Sequence, residues 1–204
     1  MLTGVVMDKE SFIRVWDPLV RVGHWLLVIS FILAYLSEDD FLSLHTWAGY
    51  SVTGIILTRI AWGFIGTRHA RFSDFVYPLS TVVQFVKNTL ILRAKRYIGH
   101  NPAGGLMILA MIASLLITNL SGMAVYGAAE NAGPLAAWLG GSSHFLEEIF
   151  EGIHEFFANL TLLLVIVHVT GVVLESLIHR ENLVRAMVTG YKSGKDDTSH
   201  LKRP

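Results

Sequence analysis

Residues 156–178 read FFANLTLLLVIVHVTGVVLESLI, and this stretch decides the fold. It contains one carboxylate, Glu175, and no Lys or Arg. It is long enough to cross a hydrocarbon core of ~30 Å, which takes about 20 residues of helix. A helix is the spanning form that satisfies its own backbone in lipid, so a membrane-crossing helix is expected. The stretch also carries an imidazole, His168, and a second, His154, stands just before it. Their spacing returns a helix to nearly the same face and separates the two rings by about 21 Å along the axis. One helix face therefore presents a costly, ionisable ligand at two depths, and such residues inside a membrane are usually functional.

Three more runs are long and apolar enough to cross: 19–36 (LVRVGHWLLVISFILAYL), 45–64 (HTWAGYSVTGIILTRIAWGF) and 104–126. Pro18 precedes the first and Asn101-Pro102 the third, both helix-start signals. The 204-residue chain is 52% hydrophobic and only 16% charged, with a mean hydropathy of +0.51. A soluble domain carries about 25% charged residues. The expected fold is an all-α integral membrane four-helix bundle, one transmembrane domain over residues 1–192, with 193–204 a solvated tail. The N-terminus lacks the core and cleavage site of a removable signal peptide, so the first span is expected to be retained. Between spans two and three, Leu79, Val82, Val83, Val86 and Leu90 recur at helical spacing. They predict an amphipathic helix, lying either on the membrane surface as an interfacial helix or against the bundle. The connection 127–155, with Gly133-Pro134 and Gly140-Gly141, is expected to be a loop with a short helical turn.

Charge excludes some functions and orients the helices. Lys+Arg and Asp+Glu each number 16, and zero net charge leaves no basic surface for nucleic acid. The absence of cysteine excludes disulfides, thiolate zinc sites, iron–sulfur clusters and covalently attached haem. Every Lys and Arg falls in the N-terminal segment, in the connection between spans two and three, in the C-terminal segment, or, as Arg59, near the end of span two. The other two connections carry only acids: Glu38, Asp39, Asp40, Glu130, Glu147, Glu148, Glu151 and Glu155. Basic residues stay on the cytoplasmic side, so both termini are expected there.

That orientation pairs the histidines by depth. His24 in the first span and His168 in the fourth lie towards the inner side; His45 opening the second span and His154 lie at the outer side. Counted from the inner span boundaries, His24 is about 9 Å deep and His168 about 15 Å. Two imidazoles facing each other across a bundle suit a haem iron with both axial positions filled. Gly23, Gly49, Gly54, Gly152 and Gly171 stand near the four histidines and allow close approach. A six-coordinate iron favours electron transfer over oxygen or substrate chemistry. Arg59, in the inner part of span two, costs about 2.5–3.5 kcal/mol near a membrane centre and is expected to meet a haem propionate or to snorkel. His69, His100 and His179 fall at the inner boundary as interface residues or caps, His69 and His100 also being suited to a quinone head group or propionate. His144 and His200 read as structural or solvated. A competing reading makes the chain a non-redox transporter component or anchor, whose histidines bind another metal or relay protons.

The same residues carry a resemblance. Arg21-Val22-Gly23-His24-Trp25, Leu44-His45-Thr46-Trp47-Ala48-Gly49-Tyr50, and His154 with His168 in the segment from Ile153 resemble the prokaryotic cytochrome b561 family, which is similar to the cytochrome b subunits of nickel–iron hydrogenases. Residues 62–72, 99–105 and 179–183 fit the same pattern, so the resemblance covers about residues 12 to 192. It implies a bacterial inner-membrane cytochrome with two b haems, ligated by His24, His45, His154 and His168, exchanging electrons with quinone. The other redox partner would be a periplasmic cytochrome or a hydrogenase-like enzyme, with the chain acting as a quinone oxidoreductase or as the b subunit of a multi-subunit oxidoreductase. The acidic outer connections would complement a basic partner surface, or else merely follow topology.

Overall fold

A computed structural model describes residues 12–37 and 41–194. Four of its helices, α1 (Pro18–Leu36), α2 (Leu42–Ile65), α5 (Pro102–Ala129) and α7 (His144–His179), are long and apolar enough to cross a membrane. Shorter helices α3 (Phe72–Phe75) and α4 (Leu79–Leu90) lie between α2 and α5, α6 (Ala136–Leu139) between α5 and α7, and α8 (Leu183–Thr189) after α7.

The helix starts follow local chemistry. Asp17 caps α1 by accepting from the Val20 N–H at 3.0 Å, with Pro18 in the first turn. Asn101 caps α5 in the same way from Gly104, again with proline following. Asn182 caps α8 through the Arg185 N–H, and Gly190, at φ 90°, ends it in a left-handed conformation that favours glycine. Helix α1 packs on α2, α5 on α7, and α2 on α5. Val52, Ile56 and Leu115 form the seam between α2 and α5, with Leu27, Phe31 and Ile112 against it. A buried Ser114–Thr161 hydrogen bond of 2.7 Å joins α5 to α7. Most other apolar side chains of the four long helices face outwards, as lipid-facing residues do.

Two elements depart from expectation. Residues 144–155, expected as loop, form the first turns of α7. Their acids lower the mean hydropathy, but Phe145, Leu146, Ile149 and Ile153 keep helical spacing, so the helix continues beyond its apolar core. The all-helical expectation also lacks a small ribbon. Strand β1 (Phe12–Arg14) pairs antiparallel with β2 (Tyr191–Ser193), Ile13 opposite Lys192. Val15, Trp16 and Ala186 close a small core beneath it, and Ser193 belongs to β2 rather than to the tail, whose residues 195–204 lie outside the described ones. Glu38, Asp39, Asp40 and His200 also lie outside them. The ribbon, the start of α1, the end of α2, the start of α5 and the end of α7 share one end of the bundle, here the ribbon end. The α1–α2 and α5–α7 connections form the loop end.

Candidate haem sites

At the loop end, His45 in the first turn of α2 faces His154 of α7, their ring centroids 5.8 Å apart and their planes at 74°. Each ring is oriented by a backbone carbonyl. His45 Nδ1 lies 2.9 Å from Ala34 O, and His154 Nδ1 lies 2.8 Å from Thr118 O. Ala34 stands in the last turn of α1, where its carbonyl takes the Ser37 N–H at 3.3 Å in place of an i+4 partner and keeps a second lone pair for the imidazole. A carbonyl only accepts, so both Nδ1 atoms carry the proton, and Nε2 is the lone-pair nitrogen in each neutral ring. This is how ligand imidazoles are usually fixed. The two rings share a partly open, largely apolar cleft whose walls include Phe31, Tyr35, Val52, Leu115 and Ala158.

At the ribbon end, His24 of α1 and His168 of α7 have centroids 6.4 Å apart and planes at 56°. The Trp25 indole stands edge-on to His24 at 5.1 Å. His24 Nδ1 is buried without a hydrogen-bond partner among the described residues. The difference in depth counted from the span boundaries does not keep these two rings apart.

Both separations suit a shared metal. With bonds of about 2 Å and about 1 Å more from nitrogen to ring centre, two imidazoles on opposite sides of one metal place their centroids ~6 Å apart. The surroundings also suit a flat macrocycle. A Cβ added at Gly54, Gly152 or Gly171 would meet nothing within 4 Å, so open space lies beside α2 and α7. Helices α1 and α7 do not pack broadly against each other, and Tyr35 Oη bridges them by donating to Asn159 Oδ1 at 3.0 Å.

Arg59 lies under the Phe72 and Phe75 rings at 5.5 and 5.7 Å, with Nη1 buried and without a hydrogen-bond partner among the described residues. A desolvated guanidinium with a free donor is suited to a carboxylate such as a propionate. His100, expected at the boundary, is instead enclosed between Trp16 and Phe75, with centroids 4.5 and 4.7 Å away. Burial, then the nearby Arg59 and Lys192 charges, push its pKa down to about 3, so it is neutral at physiological pH. His69 pairs with Asp74 at 2.9 Å, His179 lies 3.3 Å from Glu175, and His144 sits exposed beside Glu147 and Glu148.

Sequence reading missed Asp17, Lys192 and Gly122. Asp17 accepts from Trp62 Nε1 at 3.0 Å and Thr67 Oγ1 at 2.6 Å. Burial acts to raise its pKa, but these hydrogen bonds and the Val20 N–H outweigh it and hold the carboxyl below its ordinary value. Lys192 is buried in the ribbon, its ammonium 5.9 Å from the Trp16 ring centre. A Cβ on Gly122 would come within 2.7 Å of the His154 ring. Gly122 sits among other small residues of α5, and only its glycine identity could have marked it. The carbonyls of Ala34 and Thr118 leave no sequence signal at all.

Among known proteins, the chain is similar to the probable Ni/Fe-hydrogenase B-type cytochrome subunit of Azotobacter vinelandii, 27% identical over 93% of this chain and 92% of that one. The subunit of the same name from Cupriavidus necator is 28% identical over 96% of this chain and 82% of its own. The probable Ni/Fe-hydrogenase 1 B-type cytochrome subunit of Escherichia coli is 25% identical over 89% of this chain and 91% of its own. No solved structure matches. The family described as prokaryotic cytochrome b561 matches residues 15–190, nearly all of the four-helix unit and all four cleft histidines. With that match over the helices just described, the chain belongs to the prokaryotic cytochrome b561 family.

Proposed function

We propose that this b-type cytochrome holds two haems, one on His24 and His168 at the ribbon end and one on His45 and His154 at the loop end. On this reading it carries electrons across the bacterial inner membrane between a partner enzyme and the quinone pool. The observation that carries the reading is the double pairing of imidazoles along one face of α7, at 6.4 and 5.8 Å.

Haem b supplies one-electron exchange between ferric and ferrous iron, and two imidazoles on each iron leave no position for substrate. The chain's own residues do the rest. Ala34 and Thr118 hold the loop-end rings with Nε2 turned to the cleft. Apolar walls keep water from the site, and Arg59 supplies a positive charge for a ribbon-end propionate. No Lys or Arg of the α1–α2 or α5–α7 connections can serve the loop-end propionates, so N–H groups, hydroxyls or water meet them.

The ribbon end is cytoplasmic on this reading, because the Lys and Arg residues gather there. Residues 1–192 act as one domain. Helix α4 lies at the membrane interface: Val82 and Phe85 pack inwards, while Leu79, Val83, Val86 and Leu90 present an apolar face to lipid. The relatives' names favour a hydrogenase-like partner, docking at the acidic loop end.

Pyridine haemochrome on the purified protein should give two b haems per chain. His154→Ala should keep the ribbon-end haem, and His168→Ala the loop-end haem. A folded chain without haem would favour the transporter or anchor reading instead.

A further inference from the structure

Six buried side-chain polar atoms have no hydrogen-bond partner among the described residues, and all six lie at the ribbon end: Arg21 Nε, His24 Nδ1, Arg59 Nη1, His100 Nδ1, Glu175 Oε1 and His179 Nε2. At the loop end the histidines are satisfied by carbonyls. Buried polar groups are nearly always paired, so a cluster of orphans at one end marks where a polar molecule belongs. His24 and Arg59 are accounted for by the proposed haem. Glu175 and His179 are not.

Glu175 lies two turns after His168, on the same face of α7 and about 10 Å further towards the ribbon end. His179 follows one turn later, with Nε2 3.3 Å from Glu175 Oε2 but not aligned as a hydrogen bond. The side chains are 12% and 14% exposed, so the pair spans from the interior to the end of the helix. A buried carboxylate is costly unless it is paired or protonated. Arg96 is engaged with Glu181 at 3.0 Å and Arg21 with the Val188 carbonyl, so neither cation is committed to Glu175. Lys192 on β2 is near enough to feel both Glu181 and Glu175. An acid and an imidazole in series, leading from the end of the helix towards the haem ligand, form a route for protons.

We propose that Glu175 and His179 are the proton-exchanging pair of a quinone site at the ribbon end. The proposal rests on the reading of the chain as a quinone-linked cytochrome and adds where and through which groups protons enter. Reduction of a quinone to its quinol takes up two electrons and two protons. The electrons are those the cytochrome carries. Each proton leaves the Glu175 carboxyl for a quinone oxygen, and His179 delivers its replacement from the solvent side, so both residues end unchanged. Oxidation of a quinol runs the same steps backwards.

The test uses the full chain with both haems, reduced by a one-electron dye and then mixed with a water-soluble quinone. Glu175→Gln should retain two haems and accept electrons from the dye at the wild-type rate, yet pass them to quinone about 10²-fold more slowly. Glu175→Asp should restore most of that rate. In redox-difference infrared spectra, the carboxylic C=O signal seen on quinone reduction should vanish in Glu175→Gln, a change a merely structural residue would not produce. If wild-type haems are not oxidised by quinone, the quinone reading falls and the pair with it. If wild type is oxidised and Glu175→Gln matches it in rate and spectrum, the pair alone is overturned. Should Glu175→Gln lose haem, His179→Gln decides by the same two measurements.

Discussion

Gly122 shows how a residue outside the proposed haem contacts can position one of the proposed ligands, His154. An added Cβ would lie 2.7 Å from His154 Cε1 and 2.9 Å from Nδ1, and helix α5 cannot retreat without unpacking from α7. In Gly122→Ala the ring must turn, and its bond to the Thr118 carbonyl is lost. Losing an orienting partner of this kind typically costs 10–100-fold in metal affinity. The backbone itself should tolerate the change, since alanine is the better helix former by about 1 kcal/mol. Gly122→Ala should therefore fold, hold the ribbon-end haem, and release or redox-shift the loop-end haem, read by haem content and a two-step redox titration. An unchanged titration would show that Gly122 does not position His154. At this scale the sequence was informative about side chains and silent about carbonyls. His24, His45, His154 and His168 stand out because an imidazole is costly in an apolar run. The carbonyls of Ala34 and Thr118 become recognisable only once helix ends and crossings exist.

Between elements, Asp17 is the joint. It caps α1 and also takes hydrogen bonds from Trp62 near the end of α2 and from Thr67 just beyond it. Asp17→Asn keeps the shape but puts an amide donor where an anionic oxygen accepted, and hydrogen bonds to a charged group contribute on the order of 2 kcal/mol. The variant should unfold at lower temperature in detergent. Because the folded carboxyl titrates below its ordinary 3.8, its contribution is fully present above that value and is lost as pH falls through the lower folded value. The gap between wild type and Asp17→Asn should therefore be constant near neutrality and close only in strong acid. Burial of neutral His100 destabilises both proteins alike as pH falls from 6.5 to about 3, so the difference isolates Asp17. A gap that persists unchanged into strong acid would assign the effect to packing instead. The four long helices were legible because hydropathy marks all of them and proline starts mark α1 and α5. The β1–β2 ribbon was not, because three-residue strands from opposite ends of the chain pair only after the helices bring them together. The early start of α7 was hidden for a different reason: its acidic first turns read as loop by hydropathy although their apolar residues keep a helical period.

Over the whole molecule, the zero net charge is a cancellation between two ends. Arg14, Arg21, Arg68, Arg71, Arg96, Arg180, Arg185 and Lys192 lie in or beside the segments at the ribbon end, and the loop end contributes Glu130, Glu147, Glu148 and Glu151 without a Lys or Arg among its described residues. Basic segments resist translocation and acidic ones do not, so the ribbon end should remain in the cytoplasm. The absence of cysteine makes the natural chain its own background for testing this. Ser143, exposed at the start of α7, makes no capping hydrogen bond through its side chain, and Ser73, exposed in α3, lies at the opposite end. In intact spheroplasts a membrane-impermeant maleimide should label Ser143→Cys at once, and Ser73→Cys only after the membrane is disrupted. The reverse pattern would invert the bundle, placing Arg59 and the Glu175–His179 pair at the outer surface. Protons for quinone reduction would then come from outside, and a partner on that side would meet a basic face rather than an acidic one. Labelling of both cysteines in intact spheroplasts would contradict either orientation, because an odd number of crossings must lie between them. Orientation thus determines which compartment supplies the protons and which sign of charge the partner must carry.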